Sequence, residues 1–412
     1  MHRSYRTLTV AGIALIALLQ VSSETLAENW PAWRGPRGDG TSQEQEVPVR
    51  WGPDENIRWK VPVRAAGHAS PIIWEDRIFL VGCDEQREAR TLTCRARDDG
   101  GVIWHVDVLE APLEGKHPLN SYASGTPVTD GQRVFVSFLD RDEMFVAAYT
   151  FDGDQLWRAR PGGFSSKHGY CSSPVLYEDL VIVNGDHDGE AYLVALDQES
   201  GSVRWQTIRP NRIRSYSTPI IRNIDGRTQM ILSGSQSVAS YDPRDGSQHW
   251  VIDGPTDQFV ASIIYNGELL FMTCGFPDRH MLAIRPDGRG NVTDTHVVWR
   301  TTRAASYVPS PIAAGDYFLV AADNGLASCF DAETGQRHWI ERIGRRYSAS
   351  LVSAAGLVYF LSDDGVTTVV RPGEEFDAVA VNELGEATYA SAAISQGQLF
   401  IRGEEHLYCI GD

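Results

Sequence analysis

Three acidic side chains at alternate positions form the densest group of potential metal ligands in the sequence. Asp186, Asp188 and Glu190 lie in the stretch NGDHDGE, which begins at Asn184. Carboxylate oxygens are the ligands that Ca²⁺ prefers. The same Asn, Gly and Asp composition is also typical of a tight turn between two strands. Strand-like runs flank the stretch on both sides, so we predict a turn and no metal site.

Histidines and cysteines could supply bases, nucleophiles or thiolate ligands. His117, His168 and His187 are candidate bases, but no serine or cysteine nucleophile motif and no glycine-rich phosphate loop accompanies them. None of the six cysteines has zinc-like CxxC spacing. Those in LTC, ASC and LYC occupy strand positions that small residues hold elsewhere, so we predict buried free thiols. We therefore predict no catalytic residue.

A second set of candidates lies in the connecting stretches that precede short apolar strands. Most of these stretches carry an aromatic residue, as in YCSSP and YSTP, and basic residues outnumber acidic ones there although the whole chain has a net charge of −17. Arginine offers paired hydrogen-bond donors to anions. A positively charged surface formed by these connecting stretches, on a protein that is otherwise acidic, would attract anions. The alternative is that the arginines pair with hairpin acids and the tyrosines only pack between strands. The candidate ligand-binding residues are Tyr122, Lys167, His168, Tyr170, Arg212, Arg214, Tyr216, Arg303, Tyr307, Arg345, Arg346 and Tyr347.

A repeated sequence phrase indicates the fold that places these candidate residues. The phrase DAETGQRHW returns as DQESGSVRW and DPRDGSQHW, and two shorter versions also have a glycine four positions before the tryptophan. Around each phrase the sequence predicts four short strands separated by Gly, Asp and Asn turns, which is typical of a β-propeller blade. We predict that a tryptophan, positioned by its turn glycine, docks each blade against its neighbour. These structural tryptophans are Trp59, Trp104, Trp157, Trp205, Trp250, Trp299 and Trp339.

The two ends of the repeat region complement each other. The stretch from Ala390 onwards supplies three strands without a tryptophan strand, and Glu55–Val63 is a tryptophan strand without three strands before it. An unpaired strand and an open sheet edge are both unfavourable. We therefore predict an all-β fold over residues 55–411, an eight-bladed β-propeller of four-stranded antiparallel blades that closes when the N-terminal strand joins the last blade. Residues 28–54 are predicted to be an extended arm lying on the propeller.

Residues 1–27 have the pattern of a secretory signal peptide. Two arginines precede an apolar run from Leu8 to Val21 that is too short to span a bilayer, and a small-residue cleavage site follows at Ala27. An uncleaved membrane anchor is the alternative. We expect an exported, periplasmic or extracellular monomer that spans no membrane after cleavage. Its acidic charge argues against a nucleic acid partner.

The pattern L-x-A-x-D-x-x-[ST]-G-x-x-x-W resembles the repeat of pyrroloquinoline-quinone (PQQ)-type propellers over roughly residues 55–411. NWPAWRGPRGDGTS, VPSP and SDDGVTTVV resemble a group of exported bacterial PQQ-like propeller proteins. The resemblance implies two different functions. Quinoprotein dehydrogenases are eight-bladed enzymes that carry PQQ and calcium, whereas the outer-membrane barrel-assembly lipoprotein uses a related propeller to bind partner proteins.

The dehydrogenase alternative requires features that this sequence lacks. Many of those enzymes have a vicinal cysteine pair, but no two cysteines are adjacent here, and the chain is shorter than those enzymes. We therefore expect a non-catalytic binding or scaffolding propeller without a cofactor. Its channel mouth would bind an anionic small molecule, a polysaccharide or a partner protein. The alternatives are a PQQ-dependent alcohol or sugar dehydrogenase with calcium, and a carbohydrate-binding propeller that stacks sugars on its tyrosines.

Overall fold

The computed structural model describes residues 27–411, so the predicted signal peptide lies outside the described residues except for Ala27. The described residues form eight sheets that are arranged as propeller blades around a central channel, and every regular element among them is a β-strand. No stretch within this part of the chain forms a helix that could cross a membrane. The prediction of an all-β, eight-bladed propeller is confirmed.

Each blade has four antiparallel strands that follow one another from the channel outwards. From the innermost strand to the outermost, blades 1 to 4 consist of β2 (Ile72–Trp74), β3 (Arg77–Asp84), β4 (Ala89–Ala96) and β5 (Val102–Glu110); β6 (Val128–Thr129), β7 (Arg133–Asp140), β8 (Glu143–Thr150) and β9 (Gln155–Ala159); β10 (Val175–Tyr177), β11 (Leu180–Gly185), β12 (Tyr192–Asp197) and β13 (Val203–Ile208); and β14 (Ile220–Ile224), β15 (Arg227–Gly234), β16 (Ser237–Tyr241) and β17 (Gln248–Asp253).

The second half of the ring follows the same order. Blades 5 to 8 consist of β18 (Ile264–Tyr265), β19 (Leu270–Cys274), β20 (His280–Ile284) and β22 (Val297–Thr301); β23 (Ile312–Ala314), β24 (Tyr317–Ala321), β25 (Leu326–Asp331) and β26 (Arg337–Arg342); β27 (Val352–Ala354), β28 (Leu357–Leu361), β29 (Val366–Arg371) and β30 (Asp377–Glu383); and β31 (Ala393–Ser395), β32 (Gln398–Arg402), β33 (His406–Ile410) and β1 (Ile57–Pro62). The insertion before Trp299 adds β21 (Gly290–Asn291), which pairs in parallel with β17 of the preceding blade.

The ring closes through the pairing of β1 with β33. Val61 lies opposite Leu407 and Trp59 lies opposite Cys409 in this antiparallel ladder. The first strand of the propeller therefore becomes the outermost strand of the last blade. Because both ends of the repeat region are held in one sheet, neither is left as a lone strand or an incomplete blade.

The outermost-strand tryptophans contact the blade that follows in the chain. The indole N–H of Trp157 donates to the carbonyl oxygen of Gln198 at 2.9 Å, and its ring packs on Gly201. The glycine four positions before a tryptophan therefore contacts the preceding blade's tryptophan and not that of its own repeat, which corrects the sequence-based interpretation. The equivalent donations run from Trp59 to Arg97, Trp104 to Phe151, Trp205 to Pro243, Trp299 to Ala332 and Trp339 to Gly373.

Trp250 is the exception among the seven tryptophans. Its indole N–H donates to Gln229 within its own blade at 2.8 Å, and the side chain is fully buried. Trp250 also lies opposite Gly290 of β21, because the insertion in blade 5 covers this position. A strand from the next blade thus takes the place of the usual turn glycine.

We predict that Gly201→Ala lowers the free energy of unfolding by about 2–5 kcal/mol. Gly201 has a φ of 71°, and an added Cβ would lie 2.5 Å from the ring of Trp157. Gly226→Ala is a matched control, since Gly226 has a φ of 76° with no atom within 4 Å of the new Cβ. Urea unfolding of both variants measures the effect. Equal losses would show that the tryptophan contact contributes nothing.

A series of seven backbone-to-hydroxyl hydrogen bonds joins the innermost strands. Ser70 Oγ, where an eighth bond would close a ring, has no hydrogen-bond partner within residues 27–411. The backbone N–H of Thr218 donates to Ser262 Oγ at 2.9 Å, and that of Ser262 donates to Ser310 Oγ at 2.9 Å. Each bond links one blade to the next at the point where the innermost strand begins. The same contact joins Ser70 to Thr126, Thr126 to Ser173, Ser173 to Thr218, Ser310 to Ser350 and Ser350 to Ser391.

Candidate functional site

The links between blades enclose a cavity at one end of the channel. Each link joins an outermost strand to the next innermost strand, and together they surround about 520 Å³. The hairpins between the second and third strands of blades 5 and 6 add Phe276 and Asp323 to the same wall. A cavity of this size suits a small molecule or the end of a larger ligand.

The structure brings seven of the twelve predicted ligand-binding residues together around this cavity. Because they come from different links, residues far apart in the chain share one wall. Cations, aromatic rings and an imidazole are all represented. The seven are Lys167, His168, Arg214, Tyr216, Tyr307, Arg346 and Tyr347.

The other five predicted residues lie outside the cavity. Tyr170 is buried, and its hydroxyl donates to Ser137 Oγ at 3.1 Å. The ring of Tyr122 lies against the ammonium of Lys116, 5.0 Å from the ring centroid. The side chains of the remaining three are exposed to solvent; they are Arg212, Arg303 and Arg345.

Several cavity residues were missed by the sequence analysis, which had confined the mouth to the links. Hairpins between second and third strands reach the same face of a propeller, and the Pro, Asp and Asn residues in FPDRH and DNG were the available signal. Trp33 had no comparable signal, because nothing in the pattern of residues 28–54 indicates where that segment lies. The missed residues include Trp33, Gln258, Phe276, Arg279 and Asp323.

The cations at the cavity differ in how far their charge is neutralised. Arg214 donates to both carboxylate oxygens of Asp188 at 2.8 Å. Arg346 lies 3.6 Å from Asp363. Lys167 is exposed and forms no ion pair with any residue between 27 and 411. The pairing that the alternative interpretation expected therefore occurs, but it leaves Lys167 free to attract an anion.

Burial keeps two histidines of the cavity in their neutral form at pH 7. Burial and the nearby charges of Arg402 and Lys116 lower the pKa of His68 to about 4. Burial, followed by the charge of Arg214, also lowers the pKa of His168 below its usual value. An anion bound beside these rings would act in the opposite direction and favour their charged form.

The hydroxyls of two cavity tyrosines are bonded to other side chains of the protein. Tyr216 shares a hydrogen bond with Ser166 Oγ at 2.9 Å, and Tyr307 donates to Gln258 Oε1 at 3.2 Å. These bonds satisfy the hydroxyls of Tyr216 and Tyr307, whereas the buried hydroxyl of Tyr347 has no hydrogen-bond partner among the described residues. The walls between the cations are therefore largely aromatic and suit a ligand with an apolar or flat body.

Residues 28–52 cross the channel at the end opposite the links. Trp30 exchanges two backbone hydrogen bonds with Ile73 of blade 1, at 2.8 and 2.9 Å. On the other side of the ring, Asp39 accepts a hydrogen bond from Arg222 of blade 4 at 3.0 Å. The segment is thus held at distant points of the channel wall.

Trp33 forms part of the cavity floor from this crossing segment. The neighbouring Arg34 is buried and donates to the carbonyl oxygens of Pro311 at 2.7 Å and Leu351 at 3.2 Å. Burial lowers the pKa of Arg34 to about 10, so it stays charged at neutral pH. Because this segment lies across the other end of the channel, we expect a ligand to reach the cavity from the side of the links.

The cavity residues do not fit a calcium site, which would require several oxygen ligands. Among the residues that line the cavity, Asp323 is the one carboxylate, and it already accepts hydrogen bonds from the backbone of Tyr307 and Val308 at 2.9 and 3.0 Å. The acids of NGDHDGE are also engaged, since Asp186 and Asp188 pair with arginines.

One group of potential metal ligands lies elsewhere in the described chain, at Glu386, Glu405 and His406. Glu386 faces His406 at 3.4 Å and accepts a hydrogen bond from the backbone N–H of Glu405 at 2.9 Å. These two contacts account for the position of the Glu386 carboxylate without a metal ion. The group lies outside the cavity lining and does not alter the chemistry of the cavity.

Comparisons with known proteins agree with the architecture. The family model described as outer membrane protein assembly factor BamB matches residues 88–264 and 289–379. BamB from Moraxella catarrhalis has a similar structure at 13% sequence identity, with a TM-score of 0.61 over 86% of this chain and 96% of that chain. Quinohemoprotein alcohol dehydrogenase from Comamonas testosteroni is similar at 11% identity, with a TM-score of 0.64 over 93% of this chain and 81% of that chain. No curated protein matches the sequence.

Proposed function

This chain belongs to the family of the outer membrane protein assembly factor BamB, and from that membership we propose that it is an exported, non-catalytic binding propeller. Its ligand is an anion, either a small molecule or the acidic end of a larger partner, that enters the cavity from the side of the links. The family relationship supports a binding role, and the apolar run from Leu8 to Val21 supports export.

One observation carries the proposed ligand class. Four cations line the cavity, and three of them, Arg214, Arg279 and Arg346, are paired with carboxylates. Lys167 has no such partner within residues 27–411 and leaves one uncompensated positive charge, in a chain whose net charge is −17. A local excess of positive charge in a confined, partly apolar space concentrates anions. The aromatic walls favour an anion that also has an apolar or planar part.

We expect Lys167→Glu to weaken the binding of an anionic ligand by ~10-fold or more. The change replaces an unpaired cation at the cavity with a repelling charge. Arg303→Glu is the matched control, since Arg303 is an exposed cation outside the cavity lining and the change in net charge is the same. The measurement is calorimetric titration with naphthalene disulfonate, an aromatic dianion.

Equal weakening in the two variants would show that only the net charge matters and would argue against a site in the cavity. Absence of binding to the unaltered protein at low salt would also count against the proposal. Binding that survives in Arg303→Glu and is lost in Lys167→Glu supports it. Mass spectrometry of protein isolated from its native cells would then identify the natural anion.

A PQQ-dependent dehydrogenase is the competing function. The resemblance to quinohemoprotein alcohol dehydrogenase is below 25% identity and therefore concerns the fold alone. Titration of the purified protein with PQQ and calcium, combined with a dye-linked assay of alcohol oxidation, tests this alternative. Turnover that disappears when a cavity residue such as Arg214 is replaced would overturn the non-catalytic proposal.

A further inference from the structure

One corner of the cavity combines an unbonded imidazole with two cations. We call it the cationic corner and define it as His117, Lys167, His168, Arg214 and Tyr216. The ring centroids of His168 and His117 are 5.4 Å apart, and those of His168 and Tyr216 are 6.4 Å apart. Its members come from three successive links, so the corner exists only in the assembled ring.

The backbone of His168 is held in place, whereas its imidazole is available. Its backbone N–H donates to Ser166 Oγ at 3.2 Å, and its carbonyl oxygen accepts from the backbone N–H of His117 at 3.2 Å. Its ring nitrogens have no hydrogen-bond partner among residues 27–411. A fixed residue with a free imidazole facing a cavity is suited to contact a ligand directly.

The charges around His168 come from three links and one hairpin. Arg214, Lys167 and His117 disfavour a positive imidazole, while Asp188 on the hairpin between β11 and β12 favours it. Asp188 is itself paired with Arg214 at 2.8 Å, so its effect is largely neutralised. Because Arg214 and Asp188 offset one another, Lys167 is the uncompensated charge beside the ring, and a bound anion would oppose its effect on the imidazole.

We propose that His168 takes up a proton from solvent when an anion binds in the cationic corner, so that the cavity binds its ligand more tightly as the pH falls. This inference rests on the proposed anion-binding function. The doubly protonated imidazole would donate a charge-assisted hydrogen bond to the ligand and add to the cations of Lys167 and Arg214. On return to higher pH the proton leaves and the ligand is released.

The direction follows from the change in pKa on binding. In the free protein, burial and then Arg214 hold the pKa of His168 below 6.5, and a bound anion raises it. Binding therefore takes up protons between the two pKa values. Affinity is constant above the bound pKa, rises by ~10-fold per pH unit at most within the window, and levels off below the free pKa.

His168 is a better site for this proton than His68. The ring of His68 packs against Tyr389, with 4.7 Å between centroids, and burial together with Arg402 lowers its pKa to about 4. Protonation of His68 would require a larger compensating interaction.

Calorimetric titration with naphthalene disulfonate at several pH values tests the proposal, because this probe stays a dianion throughout. We expect affinity to rise on going from about pH 8 to about pH 5, with a proton uptake approaching one per ligand in buffers of different ionisation enthalpy. In His168→Asn the pH dependence should be lost while some binding remains. His105→Asn is the matched control, since His105 is an exposed histidine on β5 outside the cavity.

Each outcome decides between the two proposals. If the probe binds at no pH, the anion-binding function itself fails. If it binds with an affinity that does not vary with pH, or without proton uptake, only the protonation inference is overturned. The same holds if His168→Asn keeps the full pH dependence. Proton uptake by the unaltered protein is measured without a variant, so the test does not depend on how well His168→Asn folds.

Discussion

Replacing Arg209 with methionine is expected to lower the free energy of unfolding by about 3–5 kcal/mol. Arg209 and Asp186 form a buried ion pair, with side-chain exposures of 2% and 0%. The guanidinium donates to both carboxylate oxygens, at 2.9 and 3.0 Å, and to the hydroxyl of Tyr241 at 2.6 Å. Removing the arginine would leave the Asp186 carboxylate charged and buried without its partner.

Two controls separate this effect from a general loss of packing. The double variant Asp186→Leu with Arg209→Met removes both charges and should recover most of the stability. Arg204→Met removes an arginine of the same blade from an exposed ion pair and should change stability far less. Urea unfolding measures all three. If the double variant is no more stable than Arg209→Met, an uncompensated buried charge is not the cause.

We expect Trp30→Ala to weaken the attachment of the crossing segment by about 3–5 kcal/mol. Trp30 is fully buried in a cluster with Ile73 and Ile394, and its ring packs directly on Gly35. Because the segment lies on the ring rather than within a blade, its loss should appear as local undocking. Hydrogen exchange should therefore accelerate in residues 28–52 before it does in the blades.

Undocking would also open the floor of the cavity and weaken binding of naphthalene disulfonate. Trp33→Ala is the matched control, since it removes a tryptophan of the same segment that lines the cavity. This control should alter binding while the exchange rates of residues 28–52 stay near those of the unaltered protein. Equal acceleration in both variants would contradict the role of Trp30 as the anchor.

Local patterns were sufficient to predict the blades and their number. A strand alternation, a turn and a tryptophan all lie within one repeat, and short-range geometry determines each of them. Closure could also be predicted, because a lone strand at residues 55–63 and a three-stranded remainder after Ala390 each need a partner. The pairing of Val61 with Leu407 confirms that reasoning.

The sequence predicted that neighbouring blades contact each other through tryptophans, but it did not predict which residues each tryptophan contacts. The tryptophans were expected to dock against a neighbouring blade, but Gly201 was assigned to Trp205 in its own repeat and instead contacts Trp157 of the blade before it. The sequence distance between a tryptophan and its contact is nearly a whole repeat. Nothing local distinguishes the two assignments.

For the candidate site, too, features within one link could be predicted, whereas contacts between links could not. The common face of the links could be predicted, because propeller topology places every link at the same end of the ring, and their cations and aromatic residues are visible in the sequence. The sequence could not determine that Arg346 faces the cavity while the adjacent Arg345 faces solvent, or that Tyr170 is buried against Ser137. Those outcomes depend on how neighbouring links pack.

The floor of the cavity could not be predicted from the sequence. Residues 28–54 have no periodic pattern, so their composition allowed the prediction of an arm but not of its position. The contacts of Arg34 with Pro311 and Leu351 join residues that are hundreds of positions apart. Such contacts depend on the closed ring, because the segment lies across a channel whose walls come from several blades.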